Sequence, residues 1–355
     1  MKRMPKFQLL HMNKPKWQWG RALRGAISIA LPFMAGLMFD DIMTGMWVGM
    51  GCLMMITGEG EGTYREIYQA MFLSALIGSF GYFAGYLNLL PWNFLVIVMI
   101  FIGGIAGILS IKSRTLSIGM LQVLLLASIA IGVPSIGSFW VPAILYLVGV
   151  TIYALMLSVE IFIHNDISFV HKKETEATNL IKQHLVLQSS ARFIQNISYL
   201  QWCQAFSLAI CLGIAYSIHW VDDNKHWFWI PLTVGLIMKP DLGSIRDRSI
   251  QRILGTLIGV MIGAIILILV PKNIVFIMVM SILAGILPWA MKSSYILQAI
   301  FLTPLILMLI NIIQPGAADF NYAIERLEDT IVGSLIVLLF GYLPLNFLYK
   351  KGVFQ

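Results

Sequence analysis

Twelve apolar stretches occupy this chain almost end to end. They lie near 22–39, 43–57, 68–90, 93–110, 115–132, 138–161, 201–219, 227–238, 250–270, 273–291, 294–313 and 328–348. A segment that crosses lipid must satisfy its backbone hydrogen bonds internally, so it is a helix or a strand of a closed barrel. These stretches do not alternate strictly between polar and apolar, which selects helices. The expected fold is an all-α polytopic membrane protein of about twelve transmembrane helices. Composition agrees: only 12% of residues are charged, against about 25% in a soluble domain.

Charge sets the expected orientation. With the N-terminus inside and the spans alternating, all but Lys225, Lys272 and Arg326 of the 24 Lys and Arg residues fall on the inner side. This is the positive-inside pattern, and it implies two cytoplasmic termini. It also accounts for the net charge of +7 without a nucleic-acid partner. Trp47, Trp92, Trp140, Trp220, Trp227 and Trp229 are expected at the outer interface. Trp17, Trp19, Trp202 and Trp289 are expected at the inner one. The N-terminal segment is basic and has no apolar core of its own, so no cleavable signal peptide is read there. Cys52, Cys203 and Cys211 lie in apolar runs and read as packing residues, with no disulfide framework and no metal site.

The chain repeats itself. Asp40, Asp41 and Trp47 match Asp222, Asp223 and Trp229 at one offset; Gly62, Arg65, Glu66 and Gly78 match Gly243, Arg246, Asp247 and Gly259 one residue shorter. The reading is two parallel six-helix repeats, 1–163 and 201–355, joined by a polar cytoplasmic connector helix at 164–200. Both halves start on the same side, so their pseudo-two-fold axis would lie along the membrane normal.

The second span of each half is short. "WFWIPLTVGLIM" contains Pro231 and Gly235; "MTGMWVGMGCLMMIT" contains Gly45, Gly49 and Gly51. Short, interrupted segments at matching places in two repeats point to a transport site. Each is followed by a polar turn and a capping box, Thr63-x-x-Glu66 and Ser244-x-x-Asp247. Helix N-termini and Arg groups together suit a carboxylate. The candidate anion pathway is therefore Lys239, Arg65, Arg246, Arg248 and Arg252, with Arg252 the deepest. The bland alternative is topology signalling with snorkelling toward headgroups. Gly255, Gly259 and Gly263 form a ridge for close packing, which suggests that helices three and nine are central, with packing against each other across the pseudo-axis as one arrangement. Glu328 and Asp329 at the start of the last span are candidate proton carriers, with ion pairing the simpler reading. No ionisable residue reads as sitting at mid-membrane. No nucleotide loop, metal cluster or catalytic constellation is present in the sequence, so no cofactor and no enzyme activity are expected.

"WIPLTVGLIMKPDLGSIRDRSIQRILGTLIGVMIGAI" resembles the hallmark region of the fusaric acid resistance family, which includes bacterial aromatic acid exporters and is related to plant aluminium-activated malate transporters. The resemblance rests on an aromatic-led short span, a polar turn with Gly, and Arg252, Gly255, Thr256 and Gly259 in the pattern R-x-x-G-T-x-x-G. "RLEDTIVGSLIVLL" resembles the matching late segment. The resemblance implies export of organic, often aromatic, carboxylates across a bacterial inner membrane, driven by the proton gradient. It implies a small organic anion and the lipid bilayer as partners, and leaves open whether the chain works alone or as a homodimer. Two alternatives remain, a passive anion channel of the malate-channel type and a non-transporting scaffold. Met71 stands where the second half has Arg252, so the halves are not chemically equivalent.

Overall fold

The computed structural model describes residues 13–60, 62–133, 137–138, 140–164, 198–220, 227–238, 242–312 and 320–351. The described residues form helices and no strands. In the first half these are α1 (Trp19–Met38), α2 (Ile42–Gly58), α3 (Tyr64–Ser79, continued by a 3-10 segment Phe80–Leu89), α4 (Trp92–Leu109), α5 (Arg114–Gly132) and α6 (Trp140–His164). In the second they are α7 (Tyr199–Ser217), α8 (Trp229–Ile237), α9 (Leu242–Leu269), α10 (Ile274–Ser293), α11 (Tyr295–Asn311) and α12 (Phe320–Ile336). A π-helical turn, Val337–Tyr342, leads α12 into α13 (Leu343–Lys350). Each expected apolar stretch coincides with one helix. Among the described residues, nine helical segments are long and apolar enough to cross a membrane, and α2 and α11 are shorter apolar helices. The chain is a multi-pass membrane protein. The connector at 165–197 and Lys239 lie outside the described residues.

Local chemistry places the helix starts. Thr63 and Glu66 make the expected capping box at α3, each side chain bonding the other's backbone amide. Asp41 caps α2 by accepting from the amide and hydroxyl of Thr44, which holds its carboxyl below the usual range. The α9 box does not form as expected. That helix already begins at Leu242, so Ser244 stands inside it rather than at its cap.

Packing is reciprocal between the halves. α1 lies along α10, and α4 lies along α7. Both seams rest on glycine. A Cβ on Gly25 would sit 2.9 Å from the Ala284 carbonyl, and one on Gly107 would sit 2.7 Å from the Ala205 Cα. Within each half the second helix packs on the sixth, and the third on the fifth. α3 and α9 are therefore not paired across an axis, as the glycine ridge suggested. Gly255, Gly259 and Gly263 turn toward Ala299, Thr303 and Pro304 of α11. The opposite face of α9 shows Leu257, Met261 and Ile265 to the surroundings. The ridge serves close packing, but with its neighbour within the half.

The short helices are cores rather than broken spans. α2 runs unbroken for 17 residues, α8 for nine. Pro231 sits in the first turn of α8, where a missing amide costs little. Gly51 of α2 and Gly149 of α6 bring the two backbones into direct contact, at Tyr146 and Val48 respectively. Trp47 and Trp229, near the starts of the short helices, are fully buried. This corrects their expected place at the outer interface: neighbouring helices enclose the short ones, so their Trp rings meet protein. Cys52 and Cys211 are buried and free, and Cys203 is free and half-buried, as a packing role requires.

The backbone contact between α2 and α6 is testable. Gly149→Leu should lower thermal stability in detergent by about 1–3 kcal/mol or more through overpacking. Gly104→Ala should be neutral, because its Cβ would meet only the Ala209 methyl at 3.8 Å. Equal behaviour of the two variants would refute the packing account.

Candidate functional site

The N-terminus of α1 and the C-termini of α2 and α10 share one end of the bundle. Asn13 bonds Ser293 (2.9 Å), Lys292 bonds Gln18 (3.2 Å), and Arg21 donates to the Gly60 carbonyl (2.6 Å). This basic end carries a cavity of about 180 Å³ between the two halves. Its walls come from α2, α4 and α5 on one side and α7, α8, α10 and α11 on the other. They are mainly apolar and rich in methionine, with Met50, Met54, Met120, Met238 and Met291. Polar groups enter at Thr57, Ser110, Ser117, Gln122, Tyr295 and Gln298. Methionine is flexible and polarizable, so such a wall adapts to varied apolar or aromatic shapes.

Tyr295 forms the boundary between this vestibule and a charged interior. Its hydroxyl donates to the Leu236 carbonyl at 3.2 Å. Arg252 lies beside that hydroxyl without a hydrogen bond of ordinary geometry. Arg252 is fully buried, as is Arg326. The two guanidiniums are close enough to repel each other, and Asp329 attracts Arg326. Trp229 lies under Arg326, with Cζ 4.2 Å from the ring centroid. A desolvated cation–π contact of this kind stabilises by about 2 kcal/mol. It does not satisfy N–H donors, however, and every side-chain nitrogen of Arg252 and Arg326 lacks a hydrogen-bond partner among the described residues.

Arg326 was assigned to an outer loop; instead it is fully buried among helices. α8 is only nine residues long, roughly 14 Å of helix. Its first residue, Trp229, carries Arg326. Arg252 lies about ten residues into α9, roughly 15 Å along it. The sequence carried a signal for this. Arg326 and Asp329 are three apart in α12 and share its buried face, whereas Glu328 on the same helix is exposed.

The other expected site residues separate. Arg246 pairs with Asp247 at 3.2 Å and, like Arg248, is partly exposed on the first turns of α9. Arg65 is exposed at the start of α3, away from the cavity walls. Of the two candidate carboxylates, Glu328 is exposed and Asp329 is buried, since consecutive helical residues face different ways.

A second charged cluster was not foreseen. Arg24, read as one more inner-side charge, is buried and accepted by Glu59 at 2.7 and 2.8 Å and by Glu160. Arg21 pairs with Glu59 at 2.9 Å, and the Tyr153 hydroxyl donates to the same carboxylate. Two arginines face two glutamates, so this cluster is neutral.

A family match falls in the half that holds Arg252. Residues 208–340, over a third of the chain, match the family described as fusaric acid resistance protein-like. This half is similar to that family. The inner membrane protein YccS of Escherichia coli K12 is 30% identical over 151 residues, covering 42% of this chain and 20% of that one. The p-hydroxybenzoic acid efflux pump subunit AaeB of Musicola paradisiaca is 28% identical over 156 residues, 39% of this chain and 23% of its own. The membrane protein YvaC of Bacillus subtilis is 34% identical over 116 residues, 32% of this chain and 18% of its own. The chain thus matches about a fifth of the length of these fusaric acid resistance-like relatives. No solved structure matches.

The neutral cluster yields a stability test. Glu59→Gln leaves buried Arg24 undercompensated and should cost about 3–5 kcal/mol. Glu160→Gln should cost less, because the Glu160 side chain is 21% exposed against 4% for Glu59. Thermal unfolding in detergent would check both, and equal small losses would remove the cluster from the account of stability.

Proposed function

We propose that this protein exports organic carboxylate anions, aromatic ones above all, across a bacterial inner membrane. The observation that carries the reading is the vestibule between the halves, which ends at Tyr295 with Arg252 buried behind it. An apolar cavity of about 150 Å³ takes up benzene, so a vestibule of about 180 Å³ suits one aromatic ring. The likeness to a p-hydroxybenzoic acid efflux subunit supports the same substrate class.

In this reading the twelve helices are twelve spans arranged as two parallel repeats, 1–163 and 201–355, with both termini and the basic end in the cytoplasm. The reciprocal packing of α1 on α10 and α4 on α7 supports that arrangement. The vestibule is then the inward-facing entrance. Arg246, Arg248 and Lys239 concentrate anions near it, and Arg65 adds to the positive surface at long range. Arg252 is the first cation an anion meets beyond Tyr295. The proton gradient drives export, and Asp329, being buried, is a better carrier than exposed Glu328.

Flux in proteoliposomes tests this with benzoate, p-hydroxybenzoate and malate, with and without an imposed pH gradient. Aromatic carboxylates should accumulate against their gradient only when the pH gradient is present. Arg252→Gln should reduce that flux by about 10- to 100-fold, the worth of a charged hydrogen bond. Flux that ignores the pH gradient would select a channel instead. Folded protein that moves none of the three would overturn the reading.

A further inference from the structure

Arg252 and Arg326 pose an electrostatic problem that the described residues leave open. Both side chains are fully buried, and none of their nitrogens has an acceptor. The buried carboxylate beside them is Asp329, 4% exposed. Among the described residues, two fully buried cations face one buried carboxylate, with half-buried Glu325 preceding Arg326, and one positive charge is left over in the interior. Burying such a charge in an apolar bundle is costly unless an anion and hydrogen bonds compensate it. Hydroxyl groups without partners stand nearby. Thr256 is one turn beyond Arg252 on the same face of α9, and Thr303 is on α11, which packs along α9; both are fully buried.

The first half serves as an internal control. Met71 aligns with Arg252 and is buried. The interior there is filled by edge-to-face rings, Trp47 on Tyr82 at 5.4 Å and Tyr82 on Tyr146 at 5.7 Å. The same architecture can therefore close with apolar contacts. In the second half it holds two guanidiniums without acceptors, whereas the unpartnered groups of the first half, Trp47 Nε1 and the Tyr82 hydroxyl, are neutral.

We propose that Arg252 and Arg326 jointly hold one monovalent carboxylate, with its head group bridging the two guanidiniums and its apolar remainder in the vestibule beside Tyr295. One surplus positive charge matches one negative charge, so the site favours monoanions over dianions. Planar guanidiniums match the carboxylate fork, and the methionine-rich wall receives the ring. The proposal deepens the export reading and shares its premise that a carboxylate enters through the vestibule. It is tested by binding alone, so either can fail without the other.

The experiment is equilibrium dialysis of labelled benzoate against the purified full-length chain in detergent, with thermal unfolding followed in parallel. Native protein should bind about one benzoate per chain saturably and unfold at a higher temperature when it does. Phthalate, the same ring with two carboxylates, should bind at least about tenfold more weakly. Arg252→Gln and Arg326→Gln should each weaken benzoate binding by about 10- to 100-fold. Arg252→Gln should unfold without ligand at a temperature no lower than native, because a buried repulsion is removed, whereas Arg326→Gln also gives up its Trp229 contact and should unfold at a lower one. Bromide provides a third arm for native protein, where a preference for it over benzoate would make the site one for inorganic anions and overturn the assignment. Absence of saturable benzoate binding, equal binding of phthalate, or native affinity in both glutamine variants would also overturn it.

Discussion

A charge inside an apolar bundle has to be compensated, and the described interior meets that demand in two different ways. Arg24 is matched by Glu59 and Glu160, with Arg21 and Tyr153 completing a neutral network. Every charge there has its partner within the chain, so the cluster ties α1, α2 and α6 together. For Arg252 and Arg326 the buried carboxylate among the described residues is Asp329, which attracts Arg326. Their donors point at no acceptor among the described residues. A closed ion-pair network gains nothing from a ligand, whereas an open one does. The contrast separates a structural cluster from a candidate binding site by electrostatics alone.

The two halves share architecture and differ in filling. In each, a short second helix is enclosed by its neighbours, with a Trp near its start held in the core. Close approach depends on glycine, as at Gly51 and Gly149 in the first half. In the second, a Cβ on Gly333 would sit 3.0 Å from the Ile230 carbonyl. What fills the remaining space decides the chemistry. Rings and Met71 make the first half's interior apolar. Arg252, Arg326, Thr256 and Thr303 make the second polar and unsatisfied. In the proposed reading, one half serves as scaffold and the other carries recognition. The cavity between them gives access from the basic end.

Much of this was legible before any coordinates. Apolar runs marked each helix because a chain in lipid must close its backbone hydrogen bonds locally, and a local rule leaves a local signature. The capping box at Thr63 and Glu66 is equally local and forms as read. Arg252 stood out because it lies deep in a helix beside a glycine ridge. Arg326 did not, because a charge near the start of a span looks like an ordinary end-of-helix charge. Its burial follows from the packing of α12 on α8 and α9. Arg65, Arg246 and Arg248 show the converse: a pattern that suggests a pathway can lie largely on the surface.

Helix positions, the duplicated pattern and the apolar character of the chain follow from neighbours along the sequence, where spacing alone carries the physics. Partnership between charges does not. Arg24 and Arg252 look alike as basic residues near the starts of apolar helices. Glu160 comes to the first from a helix far along the chain, and among the described residues no carboxylate bonds the second. That difference was decided only when α6 folded back onto α1 and α12 onto α8 and α9, because electrostatic compensation depends on distance in space, and packing sets that distance.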